Sequence, residues 1–261
     1  MRDNKKTRER ITGEDSGNSI IFNRHLAAYK YAASYVDRKK SVLDLGCSDG
    51  YGSFLIAKIS KETVALDIDK KTIEDARKKY SMANLKFVLG NALSLKWKNK
   101  FDIVVSFQVI EHIEDVNLYL HQIKKVLKKG GIFILSTPNR LLRLRNGEKP
   151  WNKFHIHEFE KEELTSFLKK HFSKIEAMGL HSSEDIYEAE RKRLYIRRLI
   201  AKFDLFDFYS HLPREFTDRI VGLIKKLTLR KKDKKTTNQN DFWFSKDKVD
   251  ISLDLLSVCT K

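Results

Sequence analysis

The sequence predicts an α/β fold, a seven-stranded and mainly parallel sheet with helices on both faces. Three observations predict it. Short apolar runs alternate with amphipathic stretches along the chain, the pattern of repeated strand-helix-strand units. Five of the runs end in polar residues, as expected where parallel strands share one functional edge. The first run, Val42-Leu43-Asp44-Leu45, passes straight into a glycine-punctuated turn, Gly46-Cys47-Ser48-Asp49-Gly50-Tyr51-Gly52. Alternate glycines let a backbone turn sharply and approach a ligand closely.

Residues 1–18 are polar and are expected to be flexible. They carry charge but no apolar core region, so a signal peptide is not expected. A helix follows over Ser19–Val36, with Leu26, Tyr29, Ala33 and Val36 at helical spacing and Arg24, Lys30 and Ser34 facing elsewhere. After the glycine turn comes a helix from Ser53 to Ile59, then a strand, Thr63–Asp67. Asp69 caps a helix running to Lys79, with Ile73, Ala76 and Tyr80 toward the sheet. A third strand, Leu85–Leu89, ends at Gly90-Asn91-Ala92. A fourth, Phe101–Phe107, leads into Gln108-Val109-Ile110-Glu111-His112. Asp115 caps the next helix, in which Leu118, Gln122, Val126 and Leu127 precede a Gly130 stop. A fifth strand, Gly131–Ser136, ends at Thr137-Pro138-Asn139. The sixth and seventh are expected at Phe172–Leu180 and Ile251–Thr260.

Between those last two strands some sixty residues intervene, a basic helical insertion placed at 183–247 within a domain covering 19–261. Ile196, Leu199, Phe203 and Phe206 mark one amphipathic helix, and Phe216, Ile220, Leu223, Ile224 and Leu227 another. Arg191-Lys192-Arg193, Arg197-Arg198, Lys225-Lys226 and Arg230-Lys231-Lys232 crowd it, and a polar loop, Lys234–Asn240, precedes Phe242-Trp243-Phe244. Such a segment can cap the core, close over an anionic substrate or rest on lipid headgroups.

Composition narrows the partners. The chain has 261 residues, 52 basic against 35 acidic, for a net charge of +17. That excess favours RNA, a phosphorylated or nucleotide-linked substrate, or an acidic membrane surface, unless the lysines simply solvate helix faces. No apolar run is long enough to span a bilayer. Two cysteines, Cys47 and Cys259, fit a reducing cytoplasm, with peripheral membrane contact open. Cys47 reads as a small residue packed in the turn rather than a nucleophile.

The glycine turn alone fits several ligands. A P-loop needs Gly-Lys-Ser/Thr, and Gly52 is followed by Ser53-Phe54. A dinucleotide puts its pyrophosphate at the helix start, where Asp44 and Asp49 would repel it. Two carboxylates suit a cationic amino group instead. An acid about twenty residues on, Asp67, can accept from ribose hydroxyls.

In order and spacing, the stretch from Ile20 to Leu180, with the last strand, resembles the class I S-adenosylmethionine-dependent methyltransferases. The resemblance implies a Rossmann-like sheet whose last strand enters antiparallel, with S-adenosylmethionine as cofactor. It implies that Asp44, Gly46 and Gly50, with Cys47 and Ser48 between them, hold the methionine moiety. Asp67 and its neighbour Ile68 would meet the ribose, Asn91 and Ala92 the adenine, and Gln108 would lie under the methyl donor. The first helix would cover the cofactor, with His25 and Tyr29 as lid contacts. Two residues depart from the family pattern: Ser48 replaces a glycine of Asp-x-Gly-x-Gly-x-Gly, and Asn91 an aspartate.

His112 just past the fourth strand, and His155 and His157 in Trp151-Asn152-Lys153-Phe154-His155-Ile156-His157-Glu158-Phe159, are the candidate catalytic bases. Some quinone O-methyltransferases and small-RNA terminal methyltransferases carry a metal-binding Glu-x-x-Glu-His set plus a later histidine. Glu111 and His112 match its second half, but Gln108 stands where the first acid belongs. No metal is therefore expected, with Glu111 and His112 as the alternative. Ser106-Phe107-Gln108-Val109 lacks the edge of an exocyclic-amine enzyme and the cysteine of a cytosine-C5 enzyme. The Thr-Pro-Asn ending, His-x-His-Glu-Phe and the Arg24–Ser34 helix are most similar to methyltransferases of glycan assembly. The expected reaction is O-methylation of a sugar hydroxyl on a nucleotide- or lipid-linked glycan. RNA methylation, quinone-type O-methylation and a noncatalytic adenosylmethionine-binding module are the alternatives, nucleic acid being the less favoured partner.

Overall fold

A computed structural model describes residues 20–145, 147–203 and 239–261. The predicted flexible segment 1–18, the second insertion helix and most of the polar loop lie outside the described residues, as does Phe206.

Strands and helices alternate through α1 (Ile20–Ala33), β1 (Ser41–Leu45), α2 (Tyr51–Ala57), β2 (Glu62–Asp67), α3 (Lys70–Lys79), β3 (Leu85–Leu89) and β4 (Phe101–Phe107). There follow α4 (Val116–Val126), β5 (Leu127–Pro138), α5 (Arg140–Arg143), α6 (Lys161–Lys169) and β6 (Lys174–Ser182). The described chain ends with α7 (Glu184–Phe203), β7 (Phe242–Ser245) and β8 (Asp254–Thr260). The sheet has eight strands in the order β3-β2-β1-β4-β5-β8-β6-β7. β1 pairs parallel with β2 and β4, β2 with β3, and β4 with β5; β8 runs antiparallel between β5 and β6.

The eighth strand corrects the expected seven. Phe242-Trp243-Phe244 forms an edge strand antiparallel to β6, with Leu180 opposite Phe244. Its aromatic residues favour a pleated, half-buried surface, and the cue was too short to stand apart from the loop before it.

The core lies on both faces of the sheet, because successive strand residues point to opposite sides. Val42, Ile103, Val105 and Ile134 pack with Tyr29, Ala32 and Ile56 from α1 and α2. Leu43, Val104, Phe133 and Leu135 pack with Tyr119, Leu120 and Ile123 of α4 and Leu164 of α6. All five residues of β1 are buried, as in a central strand covered twice.

Local chemistry sets the helix starts. Asp69 accepts from the Thr72 amide at 2.8 Å and Asp115 from the Leu118 amide at 2.9 Å, both as expected of N-caps. α2 starts at Tyr51, two residues earlier than the pattern suggests, because Gly50 already adopts the left-handed region and turns the chain. α4 ends at Val126, before the Gly130 stop. Leu127 is extended and pairs with Phe101, so sheet formation wins over one more helical residue.

Arg24 departs most from expectation. Placed off the apolar stripe of the first helix by periodicity, it is buried. Its Nε donates to Asp254 Oδ2 at 3.0 Å, its Nη2 to Asp254 Oδ1 at 2.5 Å, and its Nη1 to Glu190 Oε2 at 2.9 Å. A buried guanidinium persists only when its charge and donors are matched. The partners lie 230 and 166 positions away, beyond the reach of a helical pattern.

Candidate functional site

The loop from Gly46 to Gly50 links the end of β1 to α2. The amides of Gly46 and Cys47 both donate to the Leu66 carbonyl, at 2.8 and 3.1 Å, drawing the loop against the end of β2. Gly46 and Gly50 have φ of +78° and +88°. A Cβ at Gly46 would lie 2.4 Å from the Val109 side chain, and one at Gly50 would lie 2.6 Å from the Phe87 ring. Only glycine meets both the torsion and the space. Ser48 adopts φ +49°, the left-handed conformation that explains why glycine suits this place in the related pattern.

Asp44 sits beneath the loop, fully buried. It accepts from Ser53 Oγ at 2.6 Å and from the Tyr29 hydroxyl at 3.0 Å. Burial pushes its carboxyl up to about 6, against those two hydrogen bonds and with help from the Asp67 charge. Asp67 accepts from the Ser48 amide at 3.1 Å and the Asp69 amide at 2.9 Å, which fixes its carboxylate at the strand end. Ile68 and Leu89 leave apolar side chains 62% and 48% exposed at this edge. Asn91 is exposed, with Oδ1 taking the Leu93 amide at 2.8 Å, and Ala92 is half-buried. Cys47 packs against Ala65, Ile73, Ala76 and Phe87, and burial drives its thiol far upward, in keeping with a small residue packed in the turn.

These features fit S-adenosylmethionine. The glycine cradle closes if a Cβ is added, an acid is presented by two backbone amides, and apolar side chains stand exposed beside it. Tyr29 and His25 of α1 cover the loop's inner side. Tyr29 packs edge-on to Phe107 with ring centroids 4.8 Å apart, and His25 Nδ1 meets the Tyr51 hydroxyl. Burial lowers the His25 pKa to about 4, so its ring is neutral.

The Val109 contact with Gly46 carries the cradle to the end of β4. Gln108 there has φ +57°, its amide donating to the Ser136 carbonyl at 2.9 Å. One turn on, Glu111, His112 and His155 each bring a ligand-competent atom within 4.8 Å of one another. The His112 and His155 rings meet edge-on, centroids 4.9 Å apart. Backbone ties make this local geometry: the Ile156 and His157 amides donate to the Glu111 carbonyl at 2.9 and 3.2 Å.

Each histidine is oriented through Nδ1. His112 Nδ1 donates to the Phe154 carbonyl at 2.8 Å, since a carbonyl only accepts. His155 Nδ1 lies 2.7 Å from Glu158 Oε1, also an acceptor. In the neutral rings the lone pair is then on Nε2. Glu111 is buried, with Oε2 accepting from Thr137 Oγ1 at 3.1 Å and Oε1 without a hydrogen-bond partner among the described residues. Burial pushes its carboxyl up to about 7, partly offset by His155.

His157 stays apart. It pairs with Glu163 at 2.9 Å and lines a separate 280 Å³ cavity with Ile113, Asp115, Ile156, Phe159 and Phe167. The sequence marks Glu111 only as an alternative metal ligand, includes Thr137 and Glu158 only as members of their motifs, and gives Arg143 no role. The Glu-His dipeptide at the end of a strand was the available signal for Glu111.

A family profile described as a methyltransferase domain matches residues 36–194. The chain belongs to that methyltransferase family. A probable S-adenosylmethionine-dependent methyltransferase of Mycolicibacterium smegmatis is 36% identical over 148 residues, 56% of each chain. A ubiquinone biosynthesis O-methyltransferase of Pelagibacter ubique is 31% identical over 104 residues, 39% of this chain and 43% of that one. The chain spans about half the length of the curated relatives it matches. Among solved structures, YcgJ of Bacillus subtilis superposes with a TM-score of 0.56 at 17% identity, covering 91% of this chain and 99% of that one. Phosphoethanolamine N-methyltransferase 2 of Haemonchus contortus, in complex with S-adenosyl-L-methionine, gives 0.58 at 17% identity over 92% of this chain and 52% of that one. Both share the methyltransferase's fold. No helix among its described residues is long and apolar enough to cross a membrane.

Proposed function

We propose that this methyltransferase transfers a methyl group from S-adenosylmethionine to a hydroxyl oxygen of a sugar-containing, anionic acceptor. The observation that carries the reading is the convergence of Glu111, His112 and His155 beside the glycine cradle. S-Adenosylmethionine supplies a methyl group already activated by its positive sulfur. The chain's residues then have two tasks, holding the acceptor oxygen in line and taking its proton. Glu111 suits the second task, since burial raises its carboxyl to about 7 and Oε1 has no hydrogen-bond partner among the described residues. His112 and His155, each turned by an acceptor at Nδ1, supply Nε2 as alternative bases or as donors to the acceptor.

The relatives named as O-methyltransferases favour an oxygen acceptor, and the basic balance of the chain favours an anionic one. A cytoplasmic location, with the insertion touching a membrane surface, goes with a lipid-linked acceptor. The test is incubation with methyl-labelled donor and separate glycolipid, polysaccharide, quinone and RNA extracts. Label in glycolipid or polysaccharide supports the reading, and label confined to quinone or RNA overturns it.

A second reading has its own observation. Glu111, His112 and His155 are grouped as metal ligands are, and both histidines have the oriented Nδ1 that ligating histidines show. Gln108 in place of a second acid leaves the set with one anionic ligand, which weakens it for a hard cation. Metal analysis of the purified protein, with activity before and after chelation, separates the two. Unchanged activity in excess chelator removes the metal.

A further inference from the structure

Two buried donors near the acceptor side lack acceptors. Arg143 is 7% exposed, and its Nε donates to Glu158 Oε1 at 2.9 Å, but its Nη2 has no hydrogen-bond partner among the described residues. The Trp151 indole N–H is closed off in the same way. The two side chains are joined, with the Arg143 guanidinium 4.5 Å from the Trp151 ring centroid. Arg197 of α7 lies 5.6 Å from that same centroid. Its neighbour Arg198 donates to the Arg143 carbonyl at 2.6 Å and pairs with Glu148 at 3.4 Å.

A guanidinium and an indole N–H can only donate, and a buried donor left unmade forfeits the hydration that it gave up on burial. What satisfies them is an acceptor. A planar carboxylate pairs best with one guanidinium fork, and the Arg143 fork already gives its Nε to Glu158. Donors on two separate side chains, Arg143 and Trp151, with the Arg197 charge beside the same ring, suit a tetrahedral oxyanion instead. Glu158 Oε2, an acceptor without a donor among the described residues, asks for a hydroxyl. A phosphoryl group attached to a hydroxyl-bearing acceptor meets both demands. Its location is also apt, because Glu158 Oε1 accepts from His155 as well as from Arg143.

We propose that Arg143 and Trp151, with Arg197 and Arg198 from α7, bind a phosphoryl group of the acceptor one side chain away from His155. The proposal rests on the hydroxyl-methylation reading and names the anion in it. Both donors are closed off in this arrangement, so the Arg198 bridge between α7 and the Arg143 carbonyl is the contact that parts on entry. The phosphoryl group can belong to a nucleotide-linked sugar or to a lipid headgroup. A trapped water would satisfy the same donors without any anion site.

The full chain, with S-adenosylhomocysteine present, is titrated calorimetrically with uridine 5′-diphosphate. Flotation with phosphatidylcholine vesicles, with and without phosphatidic acid, forms the second arm. Saturable binding in the first arm assigns a soluble nucleotide-linked source, and binding only to phosphatidic acid vesicles a lipid-linked one. Trp151→Phe keeps the ring and removes the N–H, and Arg197→Gln alters an exposed side chain. Each is expected to weaken that binding about tenfold, the loss of one charge-assisted hydrogen bond or one nearby charge. Both are expected to keep wild-type affinity for S-adenosylhomocysteine and a wild-type melting temperature. No binding in either arm, or binding that neither substitution changes, overturns the phosphoryl site and leaves a trapped water only. Failure of the wild type to bind S-adenosylhomocysteine overturns the methyl-transfer reading instead, a separate signal in the same experiment.

Discussion

His155 Nδ1 and Glu158 Oε1 lie 2.7 Å apart, both side chains buried, with the same carboxylate oxygen taking the Arg143 Nε. The carboxylate thus sets which ring nitrogen of His155 carries the proton. Replacing it with an amide, Glu158→Gln, offers His155 either a weaker acceptor or a competing donor. Methyl transfer is expected to fall by about 10–100-fold, the usual cost of removing a histidine's orienting partner. Affinity for S-adenosylhomocysteine stays unchanged. Initial rates and calorimetry on one preparation check both halves, and a fully active variant would remove His155 from the reaction.

Arg24 holds Asp254 of β8 and Glu190 of α7 together. Arg24→Met removes the cation and leaves two buried acids, Glu190 retaining its pairing with Arg193. Urea unfolding should reveal a loss of about 3–5 kcal/mol, the cost of stranding buried charge. A loss below about 1 kcal/mol, the scale of an exposed pair, would mean that the network is solvated.

Asp44 gives a pH signature. Its carboxyl rises from 3.8 to about 6 on folding, so between those values the folded state holds a proton that the unfolded chain has released. Below about pH 4 the group is protonated in both states and stability is highest; it then falls as pH rises toward 6 and levels off above. Asp44→Asn removes that decline. The variant should match the wild type near pH 3.5 and exceed it by on the order of 1–3 kcal/mol at pH 7, while binding S-adenosylhomocysteine less well. Unfolding curves at the two pH values decide it, and a pH-independent difference would contradict the burial argument.

Gly50→Ala puts a methyl group 2.6 Å from Phe87 on a backbone at φ +88°. The strain and the clash together should cost about 1–3 kcal/mol and distort the cradle. Gly50→Ala/Phe87→Leu should recover part of the stability by relieving the clash alone. Recovery to the full wild-type value would show that the torsion carries no cost.

Much of this architecture was readable because its causes are local. Leu85–Leu89 and Phe101–Phe107 form strands with the predicted bounds, since apolar runs between turn residues have few alternatives. Asp69 and Asp115 cap helices because the bond spans three residues. The misses share a different cause. Burial of Arg24 depends on acids brought near only by the finished sheet, and β7 depends on β6 offering an edge. The site divides similarly. Gly46, Gly50 and Asp67 announce themselves by spacing, whereas the link from Arg143 through Glu158 to His155 requires α5 to meet the loop that precedes α6.

The attachment of α7 and β7 carries a historical consequence. α7 leaves β6 through Ser183 alone, and β7 returns to pair with that same strand. The glycine cradle, Asp67 and Gln108 follow β1, β2 and β4, across the sheet from this outer edge. Sequence between α7 and β7 can therefore lengthen, shorten or be exchanged without altering the register of β1, β2 and β4. An ancestor with this plan was free to vary that segment while inheriting its glycine cradle unchanged.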